Sequence, residues 1–165
     1  MTTNARAQAL EAMIEAYALE LKLPTLRRRL RALAAEALRE QQTPVAYLAA
    51  LLEAEMAERA ERRERRRMID ARFPVVKRLE DFSFADNPGV SPAVIAALAE
   101  GGWIADRESV ILVGESGTGK TMLATGLAVA ACQQGRRVRF TTLAGLATEL
   151  QEAESRRELA RVVGR

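Results

Sequence analysis

The sequence predicts an α/β protein in two parts: an all-helical N-terminal domain, followed by the first strands and helices of a layered αβα domain. Three observations predict this architecture. Apolar residues recur at helical spacing between residues 10 and 56. Residues 110–113 are uniformly apolar and residues 138–141 alternate, as short strands do. A glycine-rich segment joins the first of these runs directly to a helical pattern, an order typical of a parallel βαβ unit.

The N-terminal domain, residues 1–72, is predicted to contain three helices. The first runs from about residue 4 to 21. The second covers about 25–40, with Thr25 as its N-cap, and the third covers about 44–72. The apolar stripes expected to be buried are Leu10, Met13, Ile14, Tyr17 and Leu21 in the first helix, Leu26, Leu30, Leu33 and Ala37 in the second, and Tyr47, Leu48, Leu51, Leu52 and Met56 in the third.

Basic charge is concentrated in this helical half. The net charge of the whole chain is +3, whereas residues 1–80 hold 16 Lys and Arg against 12 Asp and Glu. Most charge runs are solvated helix surface, and several acids here precede an arginine by four residues, the order that stabilises a helix. A nucleic-acid interface is an equally good interpretation, because guanidinium groups bind phosphate bidentately. The candidate DNA-binding residues are Arg27, Arg28 and Arg31 in the second helix and Arg62, Arg63, Arg66 and Arg67 in the third.

Residues 73–108 are predicted to connect the two domains. Phe73 and Pro74 end the third helix, and an extended segment and a turn follow. Ser91 then caps a short helix that reaches about residue 100. This segment leads into the first predicted strand.

Residues 114–121, Gly-Glu-Ser-Gly-Thr-Gly-Lys-Thr, fit the phosphate-binding pattern G-x-x-x-x-G-K-[ST]. The glycines allow successive N–H groups to turn inward, and the next helix adds the positive end of its dipole. Lys120 is expected to contact the β- and γ-phosphates, and the Thr121 hydroxyl is expected to bind Mg²⁺. A chance glycine-rich turn is the alternative, and the flanking strand and helix patterns argue against it. The predicted cofactors are ATP and Mg²⁺, and the predicted nucleotide-binding residues are Gly114, Glu115, Ser116, Gly117, Thr118, Gly119, Lys120 and Thr121.

Composition excludes several classes of site. With the single cysteine Cys132 and no histidine, neither an internal disulfide nor a Cys/His catalytic pair can form. We expect this cysteine to be buried and inert. No apolar run approaches the length of a membrane span, which together with the composition suits a cytoplasmic protein.

The ATPase domain, residues 109–165, is predicted to be incomplete. P-loop NTPases bind Mg²⁺ and position water with an acidic residue on a further strand. No apolar run ending in Asp-Asp or Asp-Glu follows Thr121. Two parallel strands also leave an open sheet edge. We therefore expect a truncated or degenerate copy with ATP hydrolysis near background, and whether the chain is an enzyme stays open.

Taken together, these motifs resemble the IstB-like ATP-binding proteins, helper ATPases of insertion-sequence transposition in the AAA+ group that are related to the helicase loader DnaC. The resemblance implies a helical domain for DNA and partner contacts, an αβα ATPase domain that oligomerises on DNA, and a transposase as partner. Residue by residue, only the P-loop carries over, since the family's later motifs would lie beyond Arg165. Ser109 stands where the family usually has Asn. The matching stretches are 21–24, 47–48, 51–55, 72–77, 79–82, 103–104, 108–121 and 135–142.

Two other functions stay open. One is a non-catalytic DNA-binding or oligomer-interaction remnant, in which residues 1–72 act and the P-loop is vestigial. The other is an unrelated small P-loop kinase, although such enzymes usually place the P-loop near the N-terminus. Nucleotide binding with and without DNA separates the first alternative from a transposition helper.

Overall fold

The structure, a computed structural model, describes residues 3–160, with side chains from residue 5 onward. The chain divides into two compact units, Met1–Arg63 and Glu64–Arg165. The predicted division into 1–72, 73–108 and 109–165 stays a prediction. The helices are α1 (Thr3–Glu20), α2 (Pro24–Arg39), α3 (Pro44–Asp70), α4 (Pro92–Ala99), α5 (Gly102–Ala105), α6 (Lys120–Gln133) and α7 (Leu143–Ser155), with a short 3-10 turn at Leu79–Asp81.

The first unit has a small core centred on α2. Leu26 and Leu30 of α2 are buried together with Ala18 of α1 and Leu51 of α3. The predicted stripe of α2 is confirmed, since Ala37 is also buried and Leu33 is half-buried.

The expectation of burial is wrong for most of the stripes on α1 and α3. All five residues of the stripe predicted for the first helix are exposed, and Tyr17, with 56% of its surface accessible, is typical. The small Ala18 enters the core instead, because it allows α1 to approach α2 closely. A helical period identifies a face that can be buried, but neighbouring helices decide how much of it is covered. In α3, Leu51 is buried and Tyr47 half-buried, while Leu48, Leu52 and Met56 are exposed.

The α/β fold class is not confirmed, because residues 3–160 contain no strand. Neither 110–113 nor 138–141 has regular secondary structure, and Ile111 and Val113 are 81% and 90% exposed. The Phe140 N–H donates to the carbonyl of Ala71, at 2.8 Å, rather than to another predicted strand. A strand exists only where its backbone pairs with a neighbour. The residue pattern predicted the apolar character of these segments, but it could not supply that pairing.

Helix α6 is the most extensively buried element of the second unit. Leu123, near its N-terminus, forms a core cluster with Phe82 and with Ile95 of α4. Cys132, near its C-terminus, is fully buried as expected, and burial raises the pKa of its thiol. The Ser91 hydroxyl caps α4 by accepting from the Val94 N–H at 3.5 Å, also as predicted. Among the described residues, no helix combines the length and the apolarity needed to span a membrane.

Candidate nucleotide-binding site

The glycine-rich loop ends where α6 begins. Gly117 and Gly119 have φ angles of 84° and 78°, in the left-handed region that glycine adopts without strain. Gly119 is the N-cap of α6, and its carbonyl accepts the first helical hydrogen bond from the Leu123 N–H at 2.9 Å. The N–H groups of residues 120–122 therefore have no partner within the helix. Free N–H groups at a helix N-terminus are suited to bind an anion.

Lys120, the first residue of α6, places its ammonium group beside the loop. Its Nζ donates to the Glu115 carbonyl and lies 3.3 Å from Oγ1 of Thr118. The Thr118 hydroxyl donates to the same carbonyl at 2.9 Å. Thr121, the next residue, is exposed, and its carbonyl accepts from the Thr125 hydroxyl at 2.7 Å. The loop thus holds a positive charge and an exposed hydroxyl at one end of the helix.

A cleft of about 650 Å³ opens beside the loop. Gly114, Thr118 and Lys120 line one side of it, and residues 86–91 and 111–113 contribute much of the rest. Its volume falls within the range of about 300–1,000 Å³ that is typical of small-molecule sites. The cleft therefore has room for a ligand larger than a phosphate ion.

The arginines predicted to bind DNA differ in their contacts. Arg28 pairs with Glu58, and Nε of Arg31 lies 3.0 Å from Oε2 of Glu11. Both arginine side chains remain largely exposed. Pairing of this kind lowers the positive potential of the α2 surface without removing the guanidinium groups from solvent.

The arginines at the C-terminal end of α3 differ from one another in their contacts. Arg66 makes an exposed pair with Asp70 at 3.5 Å, while Nε of Arg67 donates to the carbonyl of Cys132 at 2.8 Å. This second contact places a cation at the C-terminal end of α6, where the helix dipole favours it. Within residues 3–160, Arg27 and Arg63 are exposed and form no ion pair or hydrogen bond through their side chains.

A buried carboxylate explains the position of Arg62. Glu55 of α3 accepts the N–H groups of Thr25 and Leu26 at 2.8 and 3.0 Å, and Nε of Arg59 donates to its other oxygen at 2.9 Å. Arg62 lies 3.7 Å from the same carboxylate and 3.3 Å from the Thr25 hydroxyl. Glu55 therefore caps the N-terminus of α2 from another helix. The arginine at position 62 is part of this cluster.

The capping role of Glu55 was missed by the sequence analysis, which predicted Thr25 as the N-cap of α2. The N-cap is Leu23, whose side chain cannot accept a hydrogen bond, so an acceptor must come from elsewhere. Burial by itself raises the pKa of Glu55. The hydrogen bonds from Leu26, Arg59 and Thr25 outweigh burial and hold the pKa below its usual range.

Comparison with known proteins identifies the family. The family model described as IstB-like ATP binding protein matches residues 16–165. The chain belongs to this family. The resemblance inferred from the P-loop and its flanking motifs is thereby confirmed.

Relatives of this IstB-like chain come from several bacterial insertion sequences. It is 39% identical to an insertion sequence ATP-binding protein of Sinorhizobium fredii over 141 residues, which cover 85% of the chain and 47% of the relative. It is 34% identical to the IS21 ATP-binding protein of Pseudomonas aeruginosa over 148 residues, 90% of the chain and 56% of the relative. An IS21-like ATP-binding protein of Bacteroides fragilis is 32% identical over 134 residues, 81% of the chain and 67% of that protein. The chain thus spans about half the length of the first two relatives.

Proposed function

We propose that this chain is the cytoplasmic ATP-binding helper of an insertion sequence, which binds Mg-ATP at residues 114–121, contacts DNA through its basic helical unit, and acts with a transposase. The observation that carries the proposal is the position of the Lys120 ammonium beside the glycine loop at the N-terminus of α6. The names of the relatives support the link to insertion sequences and to ATP.

The residues of the loop fit a polyphosphate. The N–H groups of residues 120–122 would bind oxygens of the β-phosphate. The Lys120 ammonium, now near the Glu115 carbonyl, would move to contact the β- and γ-phosphates. Mg²⁺ usually combines one or two protein ligands with phosphate oxygens and water, and the exposed Thr121 hydroxyl is suited to be one of those ligands. The bound ion would neutralise part of the phosphate charge.

Calorimetric titration of the protein with Mg-ATP tests the nucleotide site. Lys120→Ala removes a charged donor to phosphate, so we expect the dissociation constant to rise by about tenfold or more. Lys77→Ala is the matched control, because Lys77 is an exposed lysine that lies outside the loop and the cleft lining. Equal affinity of the wild-type and Lys120→Ala proteins would overturn the assignment.

The proposed DNA contact rests on the two arginines, Arg27 and Arg63, whose side chains make no pair within residues 3–160. Arg27 and Arg63 are better test positions than Arg62 or Arg67, which hold parts of the protein together. Contact with phosphate predicts affinity that falls with salt, with a log–log slope of about −0.9 for each phosphate neutralised.

Duplex binding measured at several salt concentrations tests this contact. We expect Arg27→Gln combined with Arg63→Gln to weaken every DNA sequence alike and to flatten the slope by up to about 2. The control is Arg107→Gln combined with Arg157→Gln, two exposed arginines of the second unit. If the salt slope of DNA affinity is unchanged in the first variant, these two arginines do not contact DNA phosphate and belong to an ordinary solvated helix surface. DNA binding without any nucleotide binding would favour the non-catalytic remnant.

Assembly into a homo-oligomer on DNA is the remaining part of the proposal. It is supported by the family resemblance and not by any contact within the chain. Sedimentation velocity with and without duplex DNA and Mg-ATP tests it. A species that stays monomeric on DNA in the presence of nucleotide would contradict it.

A further inference from the structure

The connecting segment contacts the glycine loop and α6 at two glycines. A Cβ atom placed on Gly119, the N-cap of α6, would lie 2.6 Å from Cε2 of the Phe82 ring. A Cβ atom placed on Gly126, in the second turn of α6, would lie 2.6 Å from Cδ2 and 3.1 Å from the backbone nitrogen of Leu79. At 2.6 Å, a Cβ atom at either glycine could be accommodated only if neighbouring atoms shifted. The 3-10 turn therefore packs directly against the backbone of the loop and the helix.

This turn has its own internal support. The Asp81 side chain accepts from the Arg78 N–H at 3.0 Å, and the Phe82 N–H donates to the Leu79 carbonyl at 3.1 Å. Phe82 is 93% buried, and its ring meets Phe84 edge-on with centroids 5.0 Å apart. A turn supported in this way can restrict the movement of the loop and helix residues that it contacts.

Phe82 contacts Gly119, the residue at which the glycine loop ends and α6 begins. Gly119 accepts the first helical hydrogen bond of α6 from the Leu123 N–H, and Leu123 belongs to the same core cluster as Phe82. The Phe82 ring thus adjoins the acceptor of that bond and shares a cluster with the residue that donates it. Since Gly119 has a left-handed backbone, which is conformationally permissive, contact with the ring restricts a residue that would otherwise be free to change conformation.

We propose that Phe82, supported by the Leu79–Asp81 turn, is a positioning residue that holds the N-terminus of α6 in the geometry needed to bind polyphosphate. This inference rests on the proposed function. Phe82 is not placed to contact the ligand itself, because it is not among the residues that line the cleft. Its effect is exerted through the direction of the N–H groups at the helix start.

The test compares Phe82→Leu with Phe84→Leu in the full chain. Both variants replace one phenylalanine of the edge-on pair, but the three atoms nearest to a Cβ placed on Gly119 all belong to the Phe82 ring. We expect Phe82→Leu to raise the dissociation constants of ATP and ADP by about tenfold, the size of one lost charge-assisted hydrogen bond. Phe84→Leu should change both by less than about twofold. Leu79→Val, a milder change in the same turn, should resemble Phe82→Leu with a smaller effect.

Amide hydrogen exchange without nucleotide gives an independent readout. Phe82→Leu should speed exchange of the Leu123 amide by about tenfold relative to the Val129 amide further along α6, and Phe84→Leu should not. Equal effects of the two phenylalanine variants on ATP affinity, or an unchanged Leu123 amide in Phe82→Leu, would overturn the inference. A wild-type protein that binds no nucleotide would contradict the proposed function instead, and the exchange data would still decide whether Phe82 holds the loop.

Discussion

Replacing Glu55 by alanine is expected to destabilise the first unit by about 3 kcal/mol. The carboxylate accepts the Thr25 and Leu26 N–H groups in a site where Glu55 is only 2% exposed. Each buried donor left without an acceptor costs roughly 1–3 kcal/mol, and loss of a helix cap by itself costs about 1 kcal/mol. Arg59 adds little to this sum, because its side chain is 35% exposed and can turn toward water.

Native-state hydrogen exchange of the α2 amides measures this loss, because it reports the opening of the first unit alone. Glu58→Ala is the matched control. Glu58 lies one turn from Glu55 and pairs with Arg28, whose side chain is 63% exposed, so its removal should cost less than about 1 kcal/mol. Similar losses in the two variants would refute the argument that Glu55 acts as a buried cap.

The same carboxylate predicts a dependence of stability on pH. Because the folded pKa of Glu55 lies below the usual range, its stabilisation is fully present above the pKa of an unfolded glutamate, near pH ~4.3. The stabilisation is lost as pH falls from there through the folded pKa. As pH falls through that acid range, Glu55→Gln should therefore lose less stability than the wild type. Native-state amide hydrogen exchange between about pH 3 and pH 6 measures the difference. A parallel loss in both proteins would show that other carboxylates dominate.

Two further predictions concern α6. Gly126→Ala should destabilise the second unit by about 1–2 kcal/mol in urea unfolding, because the added Cβ meets Leu79 at 2.6 Å and outweighs the gain in helix propensity. Gly102→Ala, with nothing within 4 Å of the new Cβ, should be neutral or stabilising, and equal effects would contradict the packing argument. Thr121→Ala should reduce the increase in ATP affinity that Mg²⁺ produces relative to EDTA, whereas Thr118→Ala, whose hydroxyl donates to the loop itself, should keep it. An unchanged Mg²⁺ effect in Thr121→Ala would remove that residue from the metal site.

Local features of this chain were predictable from its sequence. The stripe of α2, the Ser91 cap and the helix that follows the glycine loop each depend on residues within a few positions of one another. The glycine loop is local in the same sense, since its glycines and lysine lie within one short segment. Sequence patterns that span only a few positions can be interpreted without knowing any tertiary contact.

Features that depend on distant partners were not predictable. Residues 110–113 have the composition of a strand, but no neighbouring strand pairs with them among the described residues. Arg62 and Arg67 looked like members of one basic surface, yet a carboxylate on α3 engages the first and a carbonyl of α6 the second. The close approach of Phe82 to Gly119 spans 37 positions in the sequence, and no periodicity indicates it.

The most direct test of the proposed nucleotide site is the change in backbone amide resonances of the isotope-labelled protein on addition of Mg-ATP. Binding at the loop predicts that the largest shifts occur at Gly117, Gly119, Lys120 and Thr121, and that pyrophosphate shifts the same amides. Shifts that are confined to the arginine-rich segments of α2 and α3, with the loop amides unchanged, would show that the nucleotide binds only as a polyanion and would contradict the account.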